Sequence, residues 1–448
     1  MAQVTYATTA ARVRTRLATD VGAVRDRIRT GARTTPGRLT LYLVVLGLLG
    51  ALTGLTAVLG AAQRSSLVDS VTTRSGPLAV QAQQLYRSLS DADATAAAAF
   101  LTSASEPPEL RQRYQSDLAA ASAALAAAAG VTDEAARGPV ARIAAALPVY
   151  SGLIETARTQ NRLNLPVGAA YLREASALMR EQLLPAANEL YLAEAATLAD
   201  DLDAGGSFPW FSVPLILLTL AGLILAQRYL VRRTQRLVNV GLAVATAAGV
   251  VLLLWVGISW AVVSANLSTA QREGSAQVQL VARARIAALQ ARTDEALTLV
   301  ARGSGGEFEA DFKARLTDLA GPDGQGGLLG QARSSAEDPE LAGLLGRATD
   351  AVTTWRKQHA TLRGLDDGGQ YPQAVTLAVG DPKGVSSTFA EVDSALQQAI
   401  DRANATFVDR AASAGRTMTG SVIAWTGLTL ILVAGLVVGL QRRIAEYR

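Results

Sequence analysis

The sequence predicts an all-α integral membrane protein with four transmembrane helices and two extracytoplasmic antiparallel four-helix bundles, arranged as a pseudo-duplicated unit. Three observations predict it. Four windows, 39–62, 208–226, 237–263 and 417–440, contain no charged residue, and at 1.5 Å per residue about 20 apolar residues cross a bilayer core. Half of the 448 residues are apolar and the mean hydropathy is +0.22, a membrane protein's balance with sizeable water-exposed parts. The long segments 63–207 and 264–416 carry helical spacing and lack the period-two runs of Val, Ile and Thr that a sheet requires.

Residues 1–38 form a basic tail. Val13, Leu17, Val21, Val24 and Ile28 fall on one helical face, while Arg12, Arg14, Arg16, Arg25, Arg27 and Arg29 occupy the rest. Such an amphipathic helix either lies on an anionic lipid surface or docks a partner. The first window, 39–62, is too long and starts too late for a signal peptide, and has no clear A-x-A site, so it reads as a retained span. Beyond it, the bundle segment 63–207 reads as four helices. The first runs to about Thr102 and is stopped by Ser103–Pro108; the second ends at Gly130. The third is interrupted at Gly138-Pro139 and Pro148, and the fourth begins at Pro166 and is kinked near Pro185.

Spans 208–226 and 237–263 form a hairpin around the elbow 227–236, which carries Arg228, Arg232, Arg233 and Arg236 and no acidic residue. The second bundle segment, 264–416, repeats the plan with looser joints at Gly303–Gly306, Gly321–Gly327, Asp366–Gly369 and Gly380–Gly384. Leu89–Ala94 and Leu289–Ala296 echo one another, each about 25 residues beyond a span. The last span, 417–440, leads to a short tail, 441–448.

The charges are segregated. Residues 1–38 hold eight Arg against Asp20 and Asp26, the elbow four Arg, and the C-terminal tail three Arg against Glu446. Segments 63–207 and 264–416 are mildly acidic, with eleven basic against sixteen acidic groups and sixteen against nineteen. Lys/Arg-rich short loops stay on the cytoplasmic side, so both termini and the elbow are expected there, in a multi-pass plasma-membrane protein. The acidic segments exclude a nucleic-acid partner. Small residues at Gly50 and Gly54, at Gly241, Ala245 and Gly249, and at Gly435 and Gly439 predict that the spans pack together, within one chain or across a homodimer. Trp210, Phe211, Trp260 and Trp425 are expected at the outer interface, and Tyr42 and Tyr229 at the inner one.

No cysteine is present, so neither disulfides nor thiolate metal sites arise. The lone histidine, His359, lacks metal-binding partners and reads as a surface or packing residue. Gly324–Gly330 follows no strand and reads as a flexible loop, and the Asp and Glu residues read as solvated helix faces. No catalytic frame, P-loop or nucleophile elbow occurs, so no enzyme activity, metal or cofactor is expected. Spans without ionisable residues argue against a pump or transporter.

What remains is a receptor-like layout with large outer domains and little inside. Trp355-Arg-Lys-Gln-His-Ala-Thr-Leu-Arg-Gly-Leu-Asp-Asp-Gly-Gly-Gln-Tyr371-Pro-Gln-Ala-Val-Thr-Leu-Ala-Val-Gly380, followed by Ser386-Ser-Thr-Phe-Ala-Glu-Val-Asp-Ser-Ala-Leu396, resembles the GlnX family of actinobacterial four-span membrane proteins. Each bundle is also similar in plan to the four-helix sensor of chemoreceptors, without a HAMP or signalling domain. The GlnX resemblance implies signal transduction between an extracytoplasmic GlnH-type amino-acid-binding lipoprotein, loaded with aspartate or glutamate, and the cytosolic Ser/Thr protein kinase G. It carries no residue-level site. The expected cytoplasmic contacts are Arg228, Arg232, Arg233 and Arg236 of the elbow and Arg12, Arg16, Arg25 and Arg29 of the tail, with membrane lipids alongside. Two other readings stay open: a scaffold of the cell envelope, and a sensor that binds a small ligand directly.

Overall fold

A computed structural model describes residues 35–102, 106–130, 134–234 and 239–445, and among these every regular element is a helix. The first half contains α1 (Thr35–Ser70), α2 (Gly76–Leu101), α3 (Pro108–Ala129), α4 (Glu134–Arg162), α5 (Val167–Leu178), α6 (Leu184–Gly206) and α7 (Ser212–Thr234). The second contains α8 (Val240–Thr269), α9 (Ala276–Val300), α10 (Gly306–Ala320), α11 (Gly327–Ser334), α12 (Pro339–Asp367), α13 (Tyr371–Val375) and α14 (Val385–Ala445). Wider, π-helical turns join α1 to α2 (Val71–Ser75), α5 to α6 (Met179–Leu183) and α8 to α9 (Ala270–Ser275), and another follows α13 (Thr376–Gly380).

The ends obey local chemistry. Pro108 and Pro339 stand in the first turns of α3 and α12, where a missing N–H costs nothing. The Asp338 carboxylate accepts the Glu340 N–H at 3.0 Å, a side-chain N-cap. Inside α4, however, Pro139 and Pro148 do not interrupt the helix as the sequence suggests. Each removes one backbone donor, but Ile143, Leu147, Tyr150, Ile154 and Ala157 form one buried stripe at helical spacing, and that packing outweighs the lost bonds. Pro185 is relieved differently. The carbonyl its ring would strike belongs to Glu181, inside the wide turn Met179–Leu183.

Four helices are long and apolar enough to cross a membrane, which makes the chain a multi-pass membrane protein. Their uncharged apolar stretches fall in a first compact unit formed by the described residues up to Ser66, Ser207–Ser264 and Gly415 onward. Its interior is sealed by glycines. A Cβ on Gly241 would lie 2.5 Å from the Gly439 Cα, and one on Gly435 would lie 2.9 Å from the Gly241 oxygen, so α8 and α14 touch backbone to backbone. Gly50 and Gly54 of α1 face Leu432 and Thr429 of α14, and Gly222 of α7 faces Leu46 of α1. Polar pairs add to these contacts: Thr53 with Thr219 at 2.9 Å, Ser421 with Ser259 at 2.9 Å, and Asn239 donating to the Gly439 carbonyl at 2.9 Å. Tyr42 meets Tyr229 with ring centroids 5.7 Å apart, and Phe208 meets Trp260 at 5.1 Å. Trp210 and Phe211 are exposed, but Trp425 is buried against Ala57, Ile216 and Val256 and is a core residue rather than an interfacial one.

The second unit comprises Leu67–Gly206 and Ala265–Ala414. The two segments that the sequence sets out as two bundles share one continuous core here. The reason lies in α2 and α9. Every residue from Ser88 to Ala99 and from Ala291 to Val300 is buried. A helix with small or apolar residues all round must be enclosed on every side. Each is covered by its own segment on some faces and by the other on the rest, and the two pack against one another.

The glycine contacts predict a selective effect. Gly435→Leu should destabilise the detergent-solubilised chain by about 1–3 kcal/mol through overpacking. Gly427→Leu, in the same helix but with open space around its Cβ, should leave the melting temperature unchanged. Thermal denaturation of both variants checks this.

Candidate functional site: charges buried among the helices

Of the arginines expected to meet a partner, Arg228 and Arg232 are exposed near the end of α7. The side chain of Arg233, and Arg236, Arg12, Arg16, Arg25 and Arg29, lie outside the described residues. The charge chemistry that the structure does bring together lies in the second unit, at residues the sequence reading treats as solvated or incidental.

In α2, Asp93 is only 3% exposed. It accepts hydrogen bonds from the Tyr150 hydroxyl at 3.2 Å and the Ser176 hydroxyl at 3.0 Å. Burial pushes its carboxyl up to about 6, against the pull of those donors and of Arg180. Two residues earlier, Asp91 accepts from Arg113 at 2.8 Å. Asp393 of α14 accepts from the same Arg113 at 3.1 Å and from Arg285 of α9 at 2.6 Å, and Arg285 also donates to Gln397. Two carboxylates and two guanidinium groups from α2, α3, α9 and α14 thus tie both chain segments together.

A second knot surrounds Asp294 of α9, which is fully buried. Arg180, from the wide turn of the first segment, and Arg315 of α10 each donate to it at 3.1 Å. Burial raises Asp294 to about 7, and the two guanidinium groups oppose the rise. Neighbouring Glu295, also fully buried, accepts from Arg292 at 2.6 Å, from the Trp355 indole at 3.2 Å and from His359 Nδ1 at 2.8 Å. The other face of the ring completes the set, with His359 Nε2 lying 3.0 Å from Glu309 and Phe312 stacked on the imidazole at 3.7 Å. Ionised carboxylates only accept, so a ring with one on each nitrogen must donate from both and carries a positive charge.

The shifts agree with that charge state. Burial opposes charging of His359, and the hydrogen bonds to Glu295 and Glu309 outweigh it, so its value is raised. Burial would raise Glu309, but hydrogen bonds from His359 and Lys313 take it down to about 2, and Glu295 is lowered in the same way. His359 is therefore a buried, charged bridge between α9, α10 and α12. It is not a surface residue, and it differs from an ordinary packing residue in holding two carboxylates. Arg292 extends the bridge by donating to the Ala378 carbonyl in the last wide turn, at 3.0 Å, and to Ser386 at 2.9 Å.

The sequence did hold a signal. The echo between Leu89–Ala94 and Leu289–Ala296 falls on the acidic residues just described. Asp91, Asp93, Asp294 and Glu295 interrupt runs of Ala, Leu and Thr that leave no polar helix face for them to occupy. The glycine-rich stretch Gly324–Gly330 holds no such cluster. Gly321, Gly324 and Gly327 adopt left-handed backbone there, and Arg356 donates to the carbonyls of Gly321 and Pro322 at 2.8 and 2.9 Å. No group of three or more His, Asp or Glu among the described residues is placed to hold a metal ion.

His359→Ala leaves Glu295 and Glu309 without their shared cation and should cost about 3–5 kcal/mol, the usual effect of orphaning a buried charge. The pH dependence follows from the shifts. The raised His359 contributes fully below its ordinary 6.5 and loses that contribution as pH rises through its folded value. The depressed Glu309 contributes above its ordinary 4.5 and loses it as pH falls towards about 2. Denaturation curves should therefore show the largest gap between wild type and variant from about pH 4.5 to 6.5, closing on either side.

No curated protein and no solved structure matches the chain. Residues 67–203, from the end of α1 to the end of α6 and including Asp91, Asp93 and Arg180, match the family model described as the actinobacterial sensor domain.

Proposed function

We propose that the chain is a transmembrane signal transducer in an actinobacterial plasma membrane, with both termini and the elbow in the cytoplasm and the second unit outside. It reads the loading of an extracytoplasmic GlnH-type lipoprotein by aspartate or glutamate, and relays that state to the cytosolic Ser/Thr protein kinase G. The observation that carries this reading is the sensor-domain match over 67–203, in a segment flanked by membrane-spanning helices. The lipoprotein and the kinase come from the resemblance of Trp355–Gly380 and the following helix to the GlnX family.

The order of elements supports a duplicated plan. In each half a membrane helix passes through a wide turn into a helix that ends in a continuously buried stretch, further helices follow, and a second wide turn precedes the helix that leads back to a span. Docking of the loaded lipoprotein would bias helix packing by a small translation or rotation, the usual amplitude of such switches. The buried ion pairs between the two segments give that bias discrete alternatives, since charges in a low-dielectric interior either keep their partners or exchange them as a set. The cytoplasmic receiver would contact Arg228, Arg232, Arg233 and Arg236 and the basic tail.

The test replaces Arg232, Arg233 and Arg236 together by Gln and follows kinase-dependent phosphorylation after aspartate is added to cells. The expected result is a blunted response with normal membrane insertion. An unchanged response at normal insertion would remove the elbow from the relay.

A further inference from the structure

Between α8 and α14 the first unit carries a groove of about 510 Å³, lined by these two helices and the Asn239 cap alone. Its floor exists because Gly241, Gly435 and Gly439 bring the two backbones together, so no side chain fills the space above them. Val240 and Val244 of α8 and Ile431 and Val438 of α14 form its walls, and all four are exposed. From Ile431 to Arg442 the α14 axis rises about 16 Å at about 1.5 Å per residue, which is one leaflet of a hydrocarbon core about 30 Å thick.

One end of the groove is polar. Arg442, the first charged residue after the last span, lines it, is exposed, and makes no ion pair or hydrogen bond among the described residues. The Asn239 side chain lines the same end and caps α8: its amide donates to the Gly439 carbonyl at 2.9 Å, and its oxygen accepts from the Gly241 N–H at 3.2 Å. That end is therefore the start of a 30-residue helix, positive by its dipole, with a guanidinium in the same groove. No acidic residue lines the groove. An apolar trough one leaflet deep that ends on a cation at the membrane surface complements a lipid with a negative headgroup. A second copy of the chain fits it worse. Two copies related by a two-fold axis along the membrane normal and seated groove to groove would set their Arg442 side chains against one another, like charges at one depth.

We propose that this groove binds one anionic phospholipid, with an acyl chain lying along Val244 and Ile431 and the phosphate paired with Arg442. The lipid then fills the seam between α8 and α14, the two spans that flank segment 265–414. The proposal needs only the membrane-spanning character of the first unit, and neither the lipoprotein nor the kinase.

The test is native mass spectrometry of the full chain, released from detergent micelles after titration with palmitoyl-oleoyl phosphatidylglycerol or phosphatidylcholine. One phosphatidylglycerol should be retained per chain, with a preference of about fivefold or more over phosphatidylcholine, the attraction of a single arginine for a negative headgroup. Arg442→Gln should abolish the preference and Arg442→Lys should keep part of it. Arg232→Gln, on α7 and outside the groove, should leave it unchanged. Ala434→Phe puts a ring into the groove from its exposed side and should cut retention of both lipids about threefold or more. Excess sn-glycerol 3-phosphate, which has the phosphate without the chains, should not displace the lipid. Circular dichroism checks that each variant is folded, and Val244→Phe serves if Ala434→Phe does not fold. Equal retention of the two lipids, an unchanged preference in folded Arg442→Gln, or an equal loss in Arg232→Gln overturns the proposal. So does unchanged retention in the groove-filling variant, or displacement by glycerol phosphate. A lipid-free dimer that Ala434→Phe disrupts also overturns it, and gives the groove to a second copy. The measurement contains no partner protein, so its failure leaves the relay standing, and a failed relay in cells leaves a measured lipid preference standing.

Discussion

Ser88–Ala99 of α2 and Ala291–Val300 of α9 leave no side of either helix for water, and the second unit follows from enclosing them. Alanine makes this enclosure close, because a methyl group lets neighbouring helices approach on several faces at once. Four-helix packing within one segment covers only part of such a surface, so the segments 67–206 and 265–414 complete each other's core. The acidic residues in these helices then have no solvent to reach. They are satisfied instead by arginines, tyrosine, serine, tryptophan and histidine brought in from the surrounding helices.

Such an interior is costly to build and specific once built. A buried ion pair recovers its desolvation only with good geometry and full hydrogen bonding. Asp294 with Arg180 and Arg315, and Glu295 with Arg292, Trp355 and His359, meet that requirement with donors from two elements each. The same property fits a receptor. A core held by polar sets with fixed partners has few near-alternative packings, so a ligand or a docked protein that favours one arrangement selects among few states instead of deforming a continuum.

Much of this was legible in the residues. The four apolar windows, the proline and glycine punctuation and the long helices follow from local chemistry, and the GxxxG spacings pointed to glycines that the folded spans use as backbone contacts. Three features resisted. Pro139 and Pro148 look like breaks because local propensity cannot see the stripe from Ile143 to Ala157 that holds α4 together. Trp425 looks interfacial because its depth within the span bundle depends on neighbours from α1, α7 and α8. His359 looks incidental because its partners, Glu295 and Glu309, lie far away in sequence and meet it only after three helices close around Phe312. The candidate site was illegible for the same reason. Asp294 and Arg180, or Asp393 and Arg113, share nothing in sequence except helical surroundings, and their pairing is a property of the fold alone.

The chain passes between its two units four times, at residues 66–67, 206–207, 264–265 and 414–415. Three passages lie inside α1, α8 and α14, where the backbone hydrogen-bond ladder is unbroken. The remaining one is the irregular stretch Ser207–Phe211, with Pro209 lacking a donor and Trp210 and Phe211 exposed. Irregular backbone does not leave that stretch without contacts: Phe208 meets the edges of Trp210 and Trp260, with ring centroids 4.9 and 5.1 Å away, so aromatic packing takes the place that the hydrogen-bond ladder holds in the helices.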